Sequence, residues 1–255
     1  MNKSTRISIL VLSQFAATSM WFAGNAIYPD LETIYNFGFS ITPQLTTAVQ
    51  VGFILGTLSY ALFMIPDRFS PVKVFMVSAV LSATLNLSTL LLLSFEGLFL
   101  SRMGVGFFLA GIYPVGMKIA SDWSKHGLGN VLGFLVGALV LGTGFPHFIK
   151  FASGDLPWQV VIIATSLLAV FAGVLVWKAV GDGPNRQSLS KFSLSGVFEL
   201  FRNRPFRSAA FGYFGHMWEL YAFWAFLPIM LSTYKEFQYD VSLASFIIIS
   251  MGTVS

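Results

Sequence analysis

Long stretches almost free of Asp, Glu, Lys and Arg recur along this chain and limit what it can fold into. A helix needs about 20 apolar residues to cross a bilayer core. Stretches of that size occupy residues 7–29, 44–65, 74–95, 97–117, 127–149, 156–177 and 208–234, and an eighth opens at 241 and runs to 255. Arg102 interrupts the fourth and Glu219 the seventh. The segment before Pro43, rich in Asn, Gly, Ser and Thr, reads as a loop. Charged residues make up only 10% of the 255, against about 25% in a soluble protein. Hydrophobic residues reach 55% and mean hydropathy is +0.74. The abundance of Phe, Trp and Tyr excludes disorder. Hydrocarbon tolerates a backbone only if its polar groups are satisfied within the segment. The expectation is an all-α membrane protein.

Lys3 and Arg6 before the first apolar run imitate a secretory signal, but the run is too long for one and further spans follow, so it reads as a retained helix. With a cytoplasmic N-terminus, twelve cations fall inside: Lys3, Arg6, Arg68, Lys73, Lys118, Lys125, Lys178, Arg186, Lys191, Arg202, Arg204 and Arg207. Only Lys150 and Lys235 fall outside. That asymmetry fixes the orientation and supports the span count. It also accounts for the net charge of +4, leaving nucleic-acid binding without separate support.

One long polar connection, from Lys178 to Arg207, opens on the breaker cluster Gly181-Asp182-Gly183-Pro184. Leu194, Val197, Phe198 and Phe201 then share a helical face, as in a short amphipathic helix lying on the cytoplasmic leaflet. Across this linker the pattern restarts. Met20-Trp21 recurs as Met217-Trp218 at an offset of 197, and Gly56-Thr57-Leu58-Ser59 as Gly252-Thr253-Val254-Ser255 at 196. Two matches at nearly one offset indicate a parallel six-helix repeat, the plan of many secondary transporters. The expected organisation is a six-helix bundle over 1–178, a linker over 179–206 and the start of a second bundle over 207–255. By the repeat, roughly 120 further residues and four helices would complete the second half. The competing reading is an eight-span protein.

Asp67-Arg68-Phe69-Ser70-Pro71-Val72-Lys73 resembles the loop 2–3 signature of the major facilitator superfamily, with Phe63 and Ser70 where that signature carries glycine. Arg102-Met103-Gly104-Val105-Gly106 resembles its span 4 signature, with Val105 in place of Gln. The string from Gly212 to Tyr221 is similar to one in a bacterial branch of the superfamily that implies no substrate. The arginine that nitrate/nitrite porters carry in span 2 is absent. The resemblance implies a six-plus-six helical bundle working by alternating access, with Asp67, Arg68 and Lys73 forming a conformational latch between the halves.

An ionisable group in the bilayer is a functional candidate by default, because leaving it there costs about 2.5–3.5 kcal/mol or more. Glu219 lies about 18 Å into span 7, near the midplane. His216 is on the same face one turn earlier, and Arg102 enters about 9 Å from the outer side. Glu219 and His216 read as a proton-coupling pair in a cavity shared with Arg102, an anion or coupling site. The plainer readings are a structural Glu–His pair and an arginine bonded to helix carbonyls. Asn25 and Tyr28 either line a substrate path or cap a helix end. Trp21, Trp218, Tyr221 and Trp224 form a binding wall or simply pack, and His147, after Pro146, reads as interfacial. Gly129, Gly133 and Gly137, then Gly142 and Gly144, suit close helix approach.

These features point to a proton-coupled secondary transporter of a small solute. The expected setting is a monomer in a bacterial inner membrane, partnered by lipid, an unidentified substrate and protons. The alternative is a sensor or assembly protein built on a transporter scaffold. An enzyme is not expected: there is no Cys, no Gly-x-Ser-x-Gly, and His126, His147 and His216 lack metal-ligand spacing. No phosphate-binding Gly-x-x-x-x-Gly-Lys loop is present, and neither cofactor nor metal is implied.

Overall fold

A computed structural model describes residues 1–35, 37, 40–91, 94–124, 126–186, 199–234 and 236–253. Among them the regular structure is helical. The elements are α1 (Lys3–Thr18), α2 (Ala23–Tyr35), α3 (Thr42–Leu62), α4 (Ile65–Arg68), α5 (Pro71–Ser88), α6 (Phe95–Leu109) and α7 (Tyr113–Trp123). They continue with α8 (Leu128–Ser153), α9 (Gln159–Leu175), α10 (Arg204–Thr233) and α11 (Val241–Met251). The last turn of α9 widens into a π-helical segment, Val176–Val180.

Six of these units are long and apolar enough to cross a membrane: Lys3–Tyr35, Thr42–Leu62, Pro71–Ser88, Phe95–Trp123, Leu128–Ser153 and Gln159–Val180. The first, third and fourth expected spans have different bounds. Span 1 runs on past Pro29, which sits inside α2, and reaches Tyr35. Span 3 stops at Ser88 rather than 95. Span 4 continues to Trp123 across a break at 110–112, where Pro114 in the first turn of α7 lacks the N–H that would close the ladder. The seventh span is the 30-residue α10, long enough but less apolar, because His216 and Glu219 fall in its middle. Most of the expected amphipathic linker helix, including Leu194, Val197 and Phe198, lies outside the described residues.

The chain alternates between two faces of the bundle, called here the N-terminal face, where α1 begins, and the far face. Between spans 2 and 3 it reverses through Met64, which takes the left-handed conformation (φ 49°). The closest packing joins α3 to α6, where Gly52 lies on the Met103 carbonyl, Gly56 on that of Phe107 and Gly106 on that of Val49. Any Cβ at these positions would collide with backbone. In α8 the glycines divide by function. Gly142 meets Thr18 and Phe15 of α1, and Gly137 and Gly144 meet Thr253 and Ile249 at and beyond α11, while nothing lies near Gly129 or Gly133. The core formed chiefly by α1, α5, α6, α7, α8 and α9 encloses Leu10, Trp21, Phe75, Val105 and Ile119.

Candidate functional site

The break between α1 and α2 places Trp21 and Phe22 against α10. Trp21 stacks on Tyr221 at a ring separation of 5.5 Å, and Phe22 meets Trp224 edge-on at 6.1 Å. Trp21 also lies 4.6 Å from Phe53 of α3. Beside this seam is a cavity of about 810 Å³ bounded by α3, α7, α8 and α10. Its walls include Phe53, Tyr113, Leu139, Phe214, Trp218 and Trp224. The polar groups are Thr46, Thr47, Gln50, Thr57 and tyrosine hydroxyls, and no charged residue lines it. Gln50 is among the lining residues, and its Nε2 is buried without a hydrogen-bond partner.

The structure separates the three ionisable residues expected in one cavity. Glu219 and His216 are exposed, and neither lines the large cavity. Tyr213, Met217, Leu220, Tyr221 and Trp224 turn one side of α10 to the first six spans, so positions 216 and 219 project from the other. Trp218 stands at the cavity rim, 77% exposed. A lone helix repeat cannot reveal this phase, because which stripe faces inward depends on the partner helices.

Arg102 is buried inside the first six spans. Its Nη2 donates to Asn86 Oδ1 (2.6 Å) and Thr89 Oγ1 (3.2 Å), and its Nε and Nη1 have no partner. Asn86 continues the network, its Nδ2 donating to Ser166 Oγ (2.8 Å), Thr165 Oγ1 (3.2 Å) and the Ile162 carbonyl (3.3 Å). The buried Tyr28 hydroxyl is an electrostatic neighbour of the guanidinium, and no carboxylate is among its electrostatic partners. Neither carbonyl bonding nor a cavity position describes Arg102. It is a cation held by neutral side chains, and no spacing in the sequence pointed to Asn86.

Asn25 is buried, with Nδ2 donating to Thr46 Oγ1 (2.8 Å), so it ties α2 to α3 rather than capping a helix end. It also lines a second cavity of about 220 Å³ near the far face, together with Thr42, His147, Lys150, Ser232 and Ser242. His147 is 2% exposed, which corrects its interfacial reading: α2, α10 and α11 close over it.

At the N-terminal face, Asp67 pairs with Lys118 of α7 at 2.8 Å. Arg68 and Lys73 are exposed, and neither has an ion pair among the described residues. The strongest fastening there comes from the breaker cluster after span 6. Asp182 accepts from Ser70 Oγ (2.9 Å) and from the Val72 amide (3.4 Å), capping α5 from outside. Arg186 donates to the carbonyls of Phe69 (2.7 Å) and Asp67 (3.0 Å). Gly183 lies so close to the Asp122 backbone that only glycine fits. Arg6 donates to the carbonyls of Ala179 and Val180 at the end of span 6 and sits over the Trp123 ring, while Trp123 Nε1 donates to the Gly181 carbonyl (3.0 Å). The described residues of this cluster thus bind spans 1, 3, 4 and 6 together. Capping of one helix by the tail of another leaves no local sequence pattern.

Among the described residues no group of three or more His, Cys, Asp or Glu could hold a metal ion. No curated protein matches the chain. Among solved structures, a bacterial homolog of the human lysosomal transporter Spinster, in an inward-facing and unoccupied conformation, is similar at a TM-score of 0.67 and 17% identity. The match covers 98% of this chain and 59% of that one, so the chain spans less than two thirds of its length and shares its fold. The family model for the Major Facilitator Superfamily matches residues 10–255. By that match, and with a bundle of membrane-crossing helices in the same arrangement, the chain belongs to the major facilitator superfamily.

Proposed function

We propose that this chain is part of a secondary transporter that moves a small solute by alternating access between two helical bundles. The observation that carries the reading is the cavity of about 810 Å³ between the first six spans and α10. Its walls are aromatic and aliphatic, with no charged residue and a few neutral polar side chains, Thr46, Thr47, Gln50, Thr57 and tyrosines, able to donate a hydrogen bond. Such a chamber suits an uncharged, largely apolar solute with at least one acceptor, since an ion would enter without compensation. The two bundles are residues 1–178 and the unit beginning at 207, joined by the linker over 179–206. The positive-inside bias supports a cytoplasmic N-terminal face in a bacterial inner membrane, and nothing in the mechanism requires more than a monomer.

Proton coupling is assigned to Glu219, with His216 one turn away on the same stripe of α10. That stripe turns away from the first bundle, and coupling there requires the rest of the second bundle to enclose the two groups. Arg102, without a carboxylate partner, holds positive charge inside the first bundle. The latch between the halves is assigned to Asp67, Arg68 and Lys73 at the cytoplasmic face, with Asp67 held in place by Lys118 and the exposed Arg68 and Lys73 left to reach the second half. Reconstituted full-length protein tests the reading. Glu219→Gln should abolish accumulation driven by a pH gradient while leaving solute exchange intact. Uptake against a gradient that is unchanged in this variant removes Glu219 from the mechanism, and absence of any solute movement by the unaltered protein removes transport.

A further inference from the structure

We propose that His147 is a proton-binding site whose occupancy drives the far face apart, a site distinct from Glu219; the proposal rests on the alternating-access reading above. Four features of the smaller cavity support it. First, the imidazole is enclosed by both groups of helices: Asn25, Ala26 and Pro29 of α2 and Thr42 of α3 on one side, Ala225, Pro228 and Ile229 of α10 and Ser242 of α11 on the other. Second, its Nε2 is buried and has no hydrogen-bond partner. Third, the nearby polar groups are already engaged. Asn25 Nδ2 donates to Thr46, Ser232 Oγ donates to the Ile229 carbonyl, and Lys150 Nζ donates to Asp30 Oδ2 at 2.7 Å. Fourth, the charged group that acts on His147 is Lys150, one turn along α8, and the neighbouring carboxylates are taken: Asp30 of α2 by that lysine, Glu32 of α2 by Ser40, Thr42 and the Ile41 amide, and Asp240 by the Leu243 amide it caps. From α3, α10 and α11 the cavity receives only neutral residues.

A proton on His147 in this arrangement makes a second cation next to Lys150, in a space with no carboxylate to spare. Such a charge is unfavourable away from water. Moving α10 and α11 off α2 and α8 admits water and removes the conflict. Proton binding and separation of the far face therefore favour one another, and the linkage is reciprocal. In a carrier whose far face opens to the outside, this makes the outward-open arrangement the one that loads a proton.

Residues 1–255 contain no cysteine, so full-length protein with any cysteine beyond them replaced by serine and carrying Ala26→Cys reports on this cavity alone. Ala26 is buried on its wall and belongs to no charged or hydrogen-bonding group of the site. Alkylation by a membrane-impermeant maleimide added at the far face is measured in vesicles from about pH 8 to pH 5, the range over which histidine changes charge. Each rate is divided by that of the same cysteine with His147→Gln, which cancels the ionisation of the thiol. The ratio should rise about fivefold or more on acidification, the size of a typical coupling between sites. A ratio that stays flat overturns the proposal. Lys150→Gln supplies a second arm if His147→Gln does not fold. With the lysine gone, the imidazolium no longer faces a second cation in the closed arrangement, so the acid response should shrink, and a full response in that variant also overturns the proposal. Labelling needs no substrate. A flat ratio with pH-driven transport intact refutes His147 alone, whereas a rising ratio with no transport refutes only the transporter reading.

Discussion

Arg102 brings a permanent charge among helices that answer it with an amide and a hydroxyl, Asn86 Oδ1 and Thr89 Oγ1. A buried cation leans heavily on such acceptors, because water cannot replace them. Asn86→Leu keeps the γ-branched shape, and its larger volume and better helix propensity cannot replace the one short contact of the guanidinium that it removes; it also frees Thr165 and Ser166 from a shared donor. The expected loss is about 1–3 kcal/mol, read as a lower thermal midpoint in detergent, and an unchanged midpoint would show that the network contributes no stability. At this scale the sequence was informative about charge and silent about partners. An arginine within an apolar run announces that it must be bonded, but Asn86 looks like any other polar residue in a span. Glu219 shows the opposite limit. Its depth in α10 follows from counting residues, whereas its direction depends on which stripe the first six spans cover, and here the aromatic stripe of Tyr221 and Trp224 takes that side. His147 was misplaced for a related reason: proximity to a helix end suggests an interface, and only the neighbouring helices show that the end is roofed over.

Helices of the first bundle approach one another where side chains are missing, and glycine spacing alone does not say where that happens. Gly52 and Gly56 of α3, with Gly106 of α6, let two backbones meet, and Met103, Phe107 and Val49 supply the carbonyls they touch. The same four-residue spacing in α8 is only partly used, since Gly129 and Gly133 face open space. The two cases predict opposite outcomes for similar substitutions. Gly52→Ala or Gly106→Ala must push α3 from α6 and should destabilise by about 1–3 kcal/mol. Gly129→Ala or Gly133→Ala meets nothing and should stabilise the helix by about 0.5–1 kcal/mol. Thermal midpoints of the four variants check this, and equal shifts would mean that α3 and α6 are not in contact as described. The apolar spans themselves were legible because crossing hydrocarbon demands length and hydropathy, which are properties of sequence. Their ends were less so. Pro29 reads as a terminator yet lies inside α2, and α7 is separated from α6 by a break that hydropathy does not register. The docking of Asp182 and Arg186 on loop 2–3 was hidden because a Gly-Pro-rich cluster signals only that a helix stops.

On the scale of the whole chain, two sets of contacts resist movement. The N-terminal face of the first bundle is bound by the Asp67–Lys118 pair and by Asp182 and Arg186, all within residues 67–186, so these bonds make the bundle rigid without joining it to α10. The contacts that do reach the second unit are the aromatic seam at Trp21 and Phe22 and the packing of α11 along α8. Alternating access requires the second set to break while the first persists. A Cβ placed on Gly144 would lie 3.4 Å from Cβ of Ile249, close to the separation a disulfide needs, about 3.5–4.5 Å. With no cysteine in residues 1–255 and any beyond them replaced by serine, Gly144→Cys combined with Ile249→Cys should oxidise to one intramolecular bridge, detected as a gel shift reversed by reductant. Full-length protein carrying the bridge should lose transport by about tenfold or more, since a covalent tie removes the state in which α8 and α11 part, and reduction should restore it. Bridge formation with transport intact would show that α8 and α11 travel together, so that any opening of the molecule must run along another seam.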